Sequence, residues 1–338
     1  MRASVLREGR MVYRDDVPEP VPGPGQVLVA VRACGICGSD LHFAEHGQMV
    51  LDRVAELESA AMPAGRLDLS ADVFMGHEFS AEVLEAGPGT DALPPGTVVT
   101  SVPVLVSGAA FEPIVYSNST MGGFAERMLL TAPLLLAVPN GLDARHAALT
   151  EPMAVGLHAV NTSRITPGET ALVLGCGPIG VAVIAALRNR GVEHIAAADF
   201  SHTRRELATV MGAHEVFDPA LGSPFDTVTP AVVFDAVGAP GMLNDVLRRA
   251  PARTRVVVVG VCMEPDTVMP FFGSVKEIGL QFAFAYDPTE FAESLRAIAE
   301  GEVDVGPLIT GEVGLDGVGA AFAGLTTPDQ HCKILVLP

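Results

Sequence analysis

Basic residues, cysteines and long apolar runs are all scarce in this sequence. Its 21 lysines and arginines stand against 40 aspartates and glutamates, a formal net charge of −19. A chain so acidic repels phosphate backbones and anionic lipid, so neither nucleic acid nor a membrane is an expected partner. It contains no run of about 18 apolar residues, so no segment reads as a membrane span. Hydrophobic residues nevertheless make up 49% of the 338, enough for two sizeable cores and hence two domains. The N-terminal "MRASVLREGRMVYRDD" carries charges where an export signal needs an apolar core. Cys34, Cys37, Cys176, Cys262 and Cys332 are few, scattered and odd in number, which argues against a disulfide framework. Reduced thiols and a cytoplasmic location are expected. Internal repeats and low-complexity tracts are absent too.

What is present changes character near residue 150. Before it, "QVLVAVRA", "SAEVLEAG", "GTVVTSVPV" and "ERMLLTA" are short β-branched runs separated by Gly and Pro, the pattern of a small barrel-like domain. After it, strands at "TALVL", "HIAAAD", "EVFD", "AVVFDAVG", "RVVVVGV" and "LQFAFAY" alternate with helical segments such as "SHTRRELATVMG" and "GMLNDVLRRA". That alternation predicts a parallel sheet covered on both faces. In "YDPTEFAESLRAIAEG", Asp287 as N-cap, Pro288 at the first turn and Glu290 three residues past the cap predict a helix. "VVVVGV" and "LQFAFAY" are expected as edge strands that pair across a two-fold axis.

In "GCGPIG", Gly175, Gly177 and Gly180 fit the dinucleotide fingerprint, with the helix from Pro178 offering its N-terminus to a pyrophosphate. Asp199 ends the next strand, where a carboxylate accepts ribose hydroxyls and repels a 2′-phosphate. This favours NAD, while Arg204 and Arg205 keep NADP open.

The stretch "ACGICGSDLHFAEHG" offers Cys37 as a thiolate, and a metal with open coordination needs two or three further ligands. "GHE" at 76–78 and "TEPMAVGLHA" from Thr150 supply candidates. Taken in order, "CGICGSDLH", "GHE", "GGFAE", "EPMAVGLHA", "VLGCGPIG", "VKEIG" and "CKILVLP" resemble the zinc-dependent medium-chain alcohol dehydrogenases, most closely their sorbitol and threonine dehydrogenase branch.

The resemblance implies an α/β protein: a GroES-like β-barrel catalytic domain at 1–152 and 287–338, and a Rossmann doubly wound parallel-sheet domain at 153–286. It implies NAD(P)-linked interconversion of alcohol and carbonyl, and a homodimer or homotetramer. Cys37, His77 and Glu151 correspond to the zinc ligands, and Glu78 to a carboxylate that exchanges with water at the metal. Ser39 corresponds to the hydroxyl touching the substrate oxygen, His42 to the outer proton relay and Asp40 to an acid behind the ligands. Cofactor contacts are expected from Gly175, Gly177, Pro178, Ile179, Gly180, Asp199, Arg204, Val237 and Val261. Cys34 reads as a small buried side chain and His46 as a surface histidine.

Two departures stand out. Many members carry a structural zinc on four cysteines, but 101–119 contains none, so one zinc per chain is implied. His77 also follows Cys37 by forty residues, a longer gap than usual. Val50, Val54 and Leu57 in the added material have helical spacing, as either a surface helix or a lid. Its Met49, Leu51, Met62, Leu67, Leu69, Val73, Phe74 and Met75, with Val104, Leu105, Val106, Phe111 and Ile114, suggest an apolar cleft for bulky or aryl alcohols. Two rival readings are a zinc-free NADPH-dependent double-bond reductase and a non-enzymatic binding protein. The first needs none of Cys37, His77 and Glu151, and the second predicts decay of Ser39 and His42.

Overall fold

The computed structural model describes residues 1–57, 67–108, 110–327 and 329–338. They form two compact units, one of Met1–Glu151 with Ile309–Thr327 and Lys333–Pro338, the other built on Pro152–Leu308. The helix Pro288–Ala299 belongs to the second unit, so the chain returns to the first at Ile309 rather than at the expected residue 287. That helix has the expected capping box, with Asp287 accepting from Thr289 N and Glu290 reaching back to Asp287 N.

In the first unit the longest strand, Gln26–Gly35, pairs antiparallel with Glu78–Ala86, Arg127–Thr131 and Lys333–Val336. Ile309–Val313 then adds parallel to Lys333–Val336, so the last strand of the chain sits inside the sheet. Val27, Val29, Phe43, Phe79, Phe124, Met128 and Ile334 fill the core.

The material added between Cys37 and His77 continues a helix, Gly38–Glu56, that is kinked at His46. Val50 and Leu51, with Leu67 and Leu69 beyond the helix, pack half-buried against the barrel core, and Leu57 is exposed. Val73, Met75, Leu105 and Ile114 lie inside that core, and Phe74 lies in a smaller cluster with Ala3 and Val5. The expectation that these side chains line a cleft is therefore corrected: burying their apolar surface against the sheet is the stronger demand. Met62 falls outside the described residues.

The second unit is a six-stranded parallel sheet. Its order is Glu215–Phe217, His194–Ala198, Thr170–Leu174, Val232–Asp235, Arg255–Val258, Gly279–Phe282. Strand order reverses between Thr170–Leu174 and Val232–Asp235, the switch point at which such sheets bind ligands. Arg255–Val258 is an interior strand, not the edge expected of "VVVVGV"; Gly279–Phe282 alone of the two is an edge. Among the described residues no helix is long and apolar enough to cross a membrane.

Candidate active site

Cys37 is the N-cap of the helix Gly38–Glu56, and Asp40 holds it there: Cys37 N donates to Asp40 Oδ2 at 2.9 Å. The thiol therefore sits at the positive end of the helix dipole. His77 stands immediately before the strand Glu78–Ala86, which carries Glu78 inward. The ligand atoms of Cys37, His77 and Glu78 all lie within 4.8 Å of one another, a grouping suited to a metal ion. Glu151, in the first turn of the helix Thr150–Ser163, acts on His77 through its charge.

Behind the ligands, His77 Nδ1 lies 3.6 Å from Asp40 Oδ1. Both atoms are buried without a hydrogen-bond partner. Burial pushes the Asp40 carboxyl up to about 6 against the opposing pull of His77. Burial also works against a charged His77, but Asp40, Cys37 and Glu151 outweigh it and hold the imidazole well above its ordinary range. So much buried negative charge is what a divalent cation neutralises, and the thiol–imidazole–carboxylate set fits zinc.

Three neighbours of this site were not foreseen from the sequence. Lys333, fully buried in the C-terminal strand, donates to Glu78 Oε1 at 2.7 Å, Glu78 Oε2 at 2.6 Å and Ile36 O at 3.0 Å. Its signal was a single lysine in the apolar run "CKILVLP". Gly35 is the second: a Cβ there would come within 2.0 Å of Glu78 Oε2, so only glycine lets the carboxylate lie against the strand. Tyr116 is the third, stacked on Phe43 with centroids 3.8 Å apart and donating from its hydroxyl to Ser39 O at 3.0 Å. Burial, with Asp40 next, raises the Tyr116 phenol well above its usual range, so it remains a donor. Ser39 is exposed on the first turn of the helix, and His42 is half-buried one turn on. His42 Nε2 is enclosed with no hydrogen-bond partner.

In the second unit Gly175 has φ of 88°, and a Cβ on Gly180 would lie 1.8 Å from Gly175 O. The loop can therefore fold tightly over the start of the helix Pro178–Asn189, whose N-cap is Gly177. Asp199 accepts from Cys176 N and Ser201 N, both at 2.8 Å. Arg204 Nη1 is 4.0 Å from Asp199 Oδ2, and its Nε is buried without a partner. Arg205 turns away, onto Asp199 O, Phe200 O and Asp218. Val237 and Val261 are exposed at the strand ends on the same rim.

A barrel bearing a thiol–imidazole–carboxylate site, joined in one chain to a dinucleotide-binding sheet, defines a metal-dependent dehydrogenase. Residues 23–140 match the alcohol dehydrogenase GroES-like domain, and residues 178–300 match the zinc-binding dehydrogenase domain. The chain is 30% identical to (R,R)-butanediol dehydrogenase of Bacillus subtilis over the whole of both chains. It is 26% identical to sorbitol dehydrogenase of the same organism, covering 100% of this chain and 97% of that one. Among solved structures, a putative zinc-binding dehydrogenase from Sinorhizobium meliloti bound to NADP superposes with a TM-score of 0.84. It is 28% identical and covers 100% of this chain and 99% of its own. The chain belongs to the zinc-dependent medium-chain alcohol dehydrogenases, in their sorbitol dehydrogenase-like branch, and is an NAD(P)-linked alcohol dehydrogenase.

Proposed function

We propose that the protein oxidises a secondary alcohol flanked by a further hydroxyl, a vicinal diol or polyol, and reduces the corresponding ketone, with NAD as its preferred cofactor. The observation that carries this is the cluster of Cys37, His77 and Glu78 beside Ser39 and His42 on one helix. The diol preference is supported by the relatives, which are butanediol, sorbitol and xylulose enzymes. It is preferred to the apolar reading because Val73, Met75, Leu105 and Ile114 are buried in the barrel core, although Phe111 is exposed.

Cys37, His77 and Glu151 would hold one zinc, which when bound would supply the Lewis acidity that eases deprotonation of an alcohol. Glu151 is favoured over Glu78 as the third ligand because Lys333 already occupies both Glu78 oxygens. Glu78, grouped with Cys37 and His77, is the carboxylate that would exchange with water at the metal. Asp40 orients His77, as carboxylates behind metal-bound histidines do. Ser39 presents its hydroxyl at the mouth of the site, and neutral His42 accepts the departing proton. Asp199 supports NAD, with Gly175, Gly177, Pro178, Ile179, Gly180, Arg204, Val237 and Val261 around the dinucleotide.

The proposal includes a homodimer. The strand Gly279–Phe282 is exposed along its full length at the sheet edge, with Phe271, Val275, Phe282 and Phe284 uncovered beside it. An open apolar edge of this kind is self-complementary across a two-fold axis. Unbridged thiols at Cys34, Cys37, Cys176 and Cys262 suit the cytoplasm.

The test is reduction of NAD and of NADP over butane-2,3-diol, sorbitol, xylitol and 1-phenylethanol. Higher kcat/KM for the hydroxyl-rich substrates with NAD is expected. A preference for 1-phenylethanol, or no turnover of any alcohol, overturns the assignment.

A further inference from the structure

A half-buried relay histidine needs a way to pass its proton on, and the geometry around His42 supplies one. His42 Nε2 is enclosed without any hydrogen-bond partner. The ring beside it is His46, one helical turn further along, with centroids 4.9 Å apart and planes tilted by 59°. His46 is also where the helix breaks: its φ of −127° and ψ of 26° depart from helical values inside an otherwise continuous Gly38–Glu56. The following Gly47 is buried, facing Leu69 and Phe43. The His46 side chain is 44% exposed, and its Nε2 lies 3.8 Å from the carboxylate of Glu45, itself 74% exposed.

We infer that His46 is the exit of the proton path: the proton accepted by His42 moves to the His46 imidazole, directly or through one water, and from there to a buffer base. The bookkeeping is simple. His42 gains one proton and gives it up, His46 does the same, and no oxidant or reductant takes part.

Two features give the path its direction. The charged groups facing His42 are His46 and Glu45. Burial disfavours a charged His42 first, and the charge of His46 disfavours it next. Two adjacent imidazoles at this separation do not both stay charged, so one proton passes at a time. His46 meets solvent and has the Glu45 carboxylate beside it, so the charge is better hydrated and better paired at the outer ring. The direction runs from the enclosed ring to the open one. The sequence alone presents His46 as an ordinary surface residue; its ring packed beside that of His42, whose Nε2 has no hydrogen-bond partner, gives it a task.

The inference rests on the alcohol oxidation proposed above, and the experiment separates the two. His46→Gln and His46→Ala are compared with the parent holoenzyme in the oxidation direction, in weakly buffered solution and then with free imidazole added. A fall in kcat of about tenfold at low buffer is expected, the lower end of what a positioned proton acceptor contributes. KM and bound zinc should be unchanged, the solvent deuterium isotope effect on kcat should rise, and imidazole should restore kcat. A purely structural role at the kink would not be rescued by imidazole. Unchanged turnover at low buffer, or a loss that imidazole does not restore, overturns the exit role while leaving the proposed function standing. A parent that oxidises no alcohol fails the proposed function itself.

Discussion

His77 Nδ1 and Asp40 Oδ1 face each other at 3.6 Å, each buried and each without another hydrogen-bond partner. With Nδ1 facing the Asp40 carboxylate, Nε2 is the nitrogen that would remain for a metal. Partners of this kind are typically worth 10–100-fold in metal affinity. Asp40→Ala is therefore expected to weaken zinc binding by about 10–100-fold, read by competition with a chromogenic chelator. Unchanged zinc affinity would remove Asp40 from the site.

Zinc itself should number one per chain, since 101–119 offers no cysteines for a second. Thiol labelling reads the same site independently of activity. Cys262 is exposed and should react at once, whereas Cys34 is buried, as is Cys176, whose thiol burial pushes up to about 12. Cys37 should react only after chelation, and Cys34 and Cys176 only on unfolding. Fast labelling of Cys37 in the zinc-loaded protein would contradict its role as a ligand.

Lys333 and Glu78 form a pair with side chains 1% and 0% exposed. Removing one partner leaves a buried charge uncompensated, at a cost of about 3–5 kcal/mol. Lys333→Met should lower the thermal midpoint markedly, and adding Glu78→Leu should recover part of the loss. A single variant as stable as the parent would show that water reaches the pair.

Cofactor choice should turn on Asp199. Asp199→Ala is expected to raise KM for NAD by about tenfold, the loss of one hydrogen bond to a charged group, while leaving NADP no worse. Arg204→Ala should impair NADP more than NAD. If the parent already prefers NADP, the unpartnered Arg204 Nε marks a phosphate site that outweighs the carboxylate.

The pH profile follows from His42, whose pKa is lowered from 6.5, by burial first and by His46 second. A lowered pKa keeps the imidazole neutral to more acid pH. The acid limb of kcat in the oxidation direction is therefore expected below pH 6.5, and His46→Gln should shift it upward by removing the neighbouring charge. A downward shift would mean that the two rings do not interact.

Local pattern made much of this protein legible. Thr170–Leu174 and the helix from Pro178 follow from an apolar run and a glycine turn, and Asp287 with Glu290 announces a helix start through contacts three residues apart. Cys37 and His77, which the structure brings together, stand in short motifs that could be read directly. What stayed hidden depends on pairings between distant strands. Arg255–Val258 looks like any exposed-edge candidate until the sheet order encloses it. Tyr116 reaches Ser39 only because Tyr116–Ser117 pairs with Phe74–Met75. The apolar residues after Cys37 were misassigned because composition says that a side chain will be buried but not against what.

Lys333 and Glu78 are 255 positions apart in the chain. The first segment of the barrel unit, Met1–Glu151, thus holds the thiol and the imidazole but not the ammonium that steadies the carboxylate beside them. A chain cut after Glu151 would therefore leave Glu78 as an acid without its ammonium partner. The strand Lys333–Val336 therefore does two jobs at once, extending the sheet beside Gln26–Gly35 and carrying the counter-charge to the acid next to the candidate ligands.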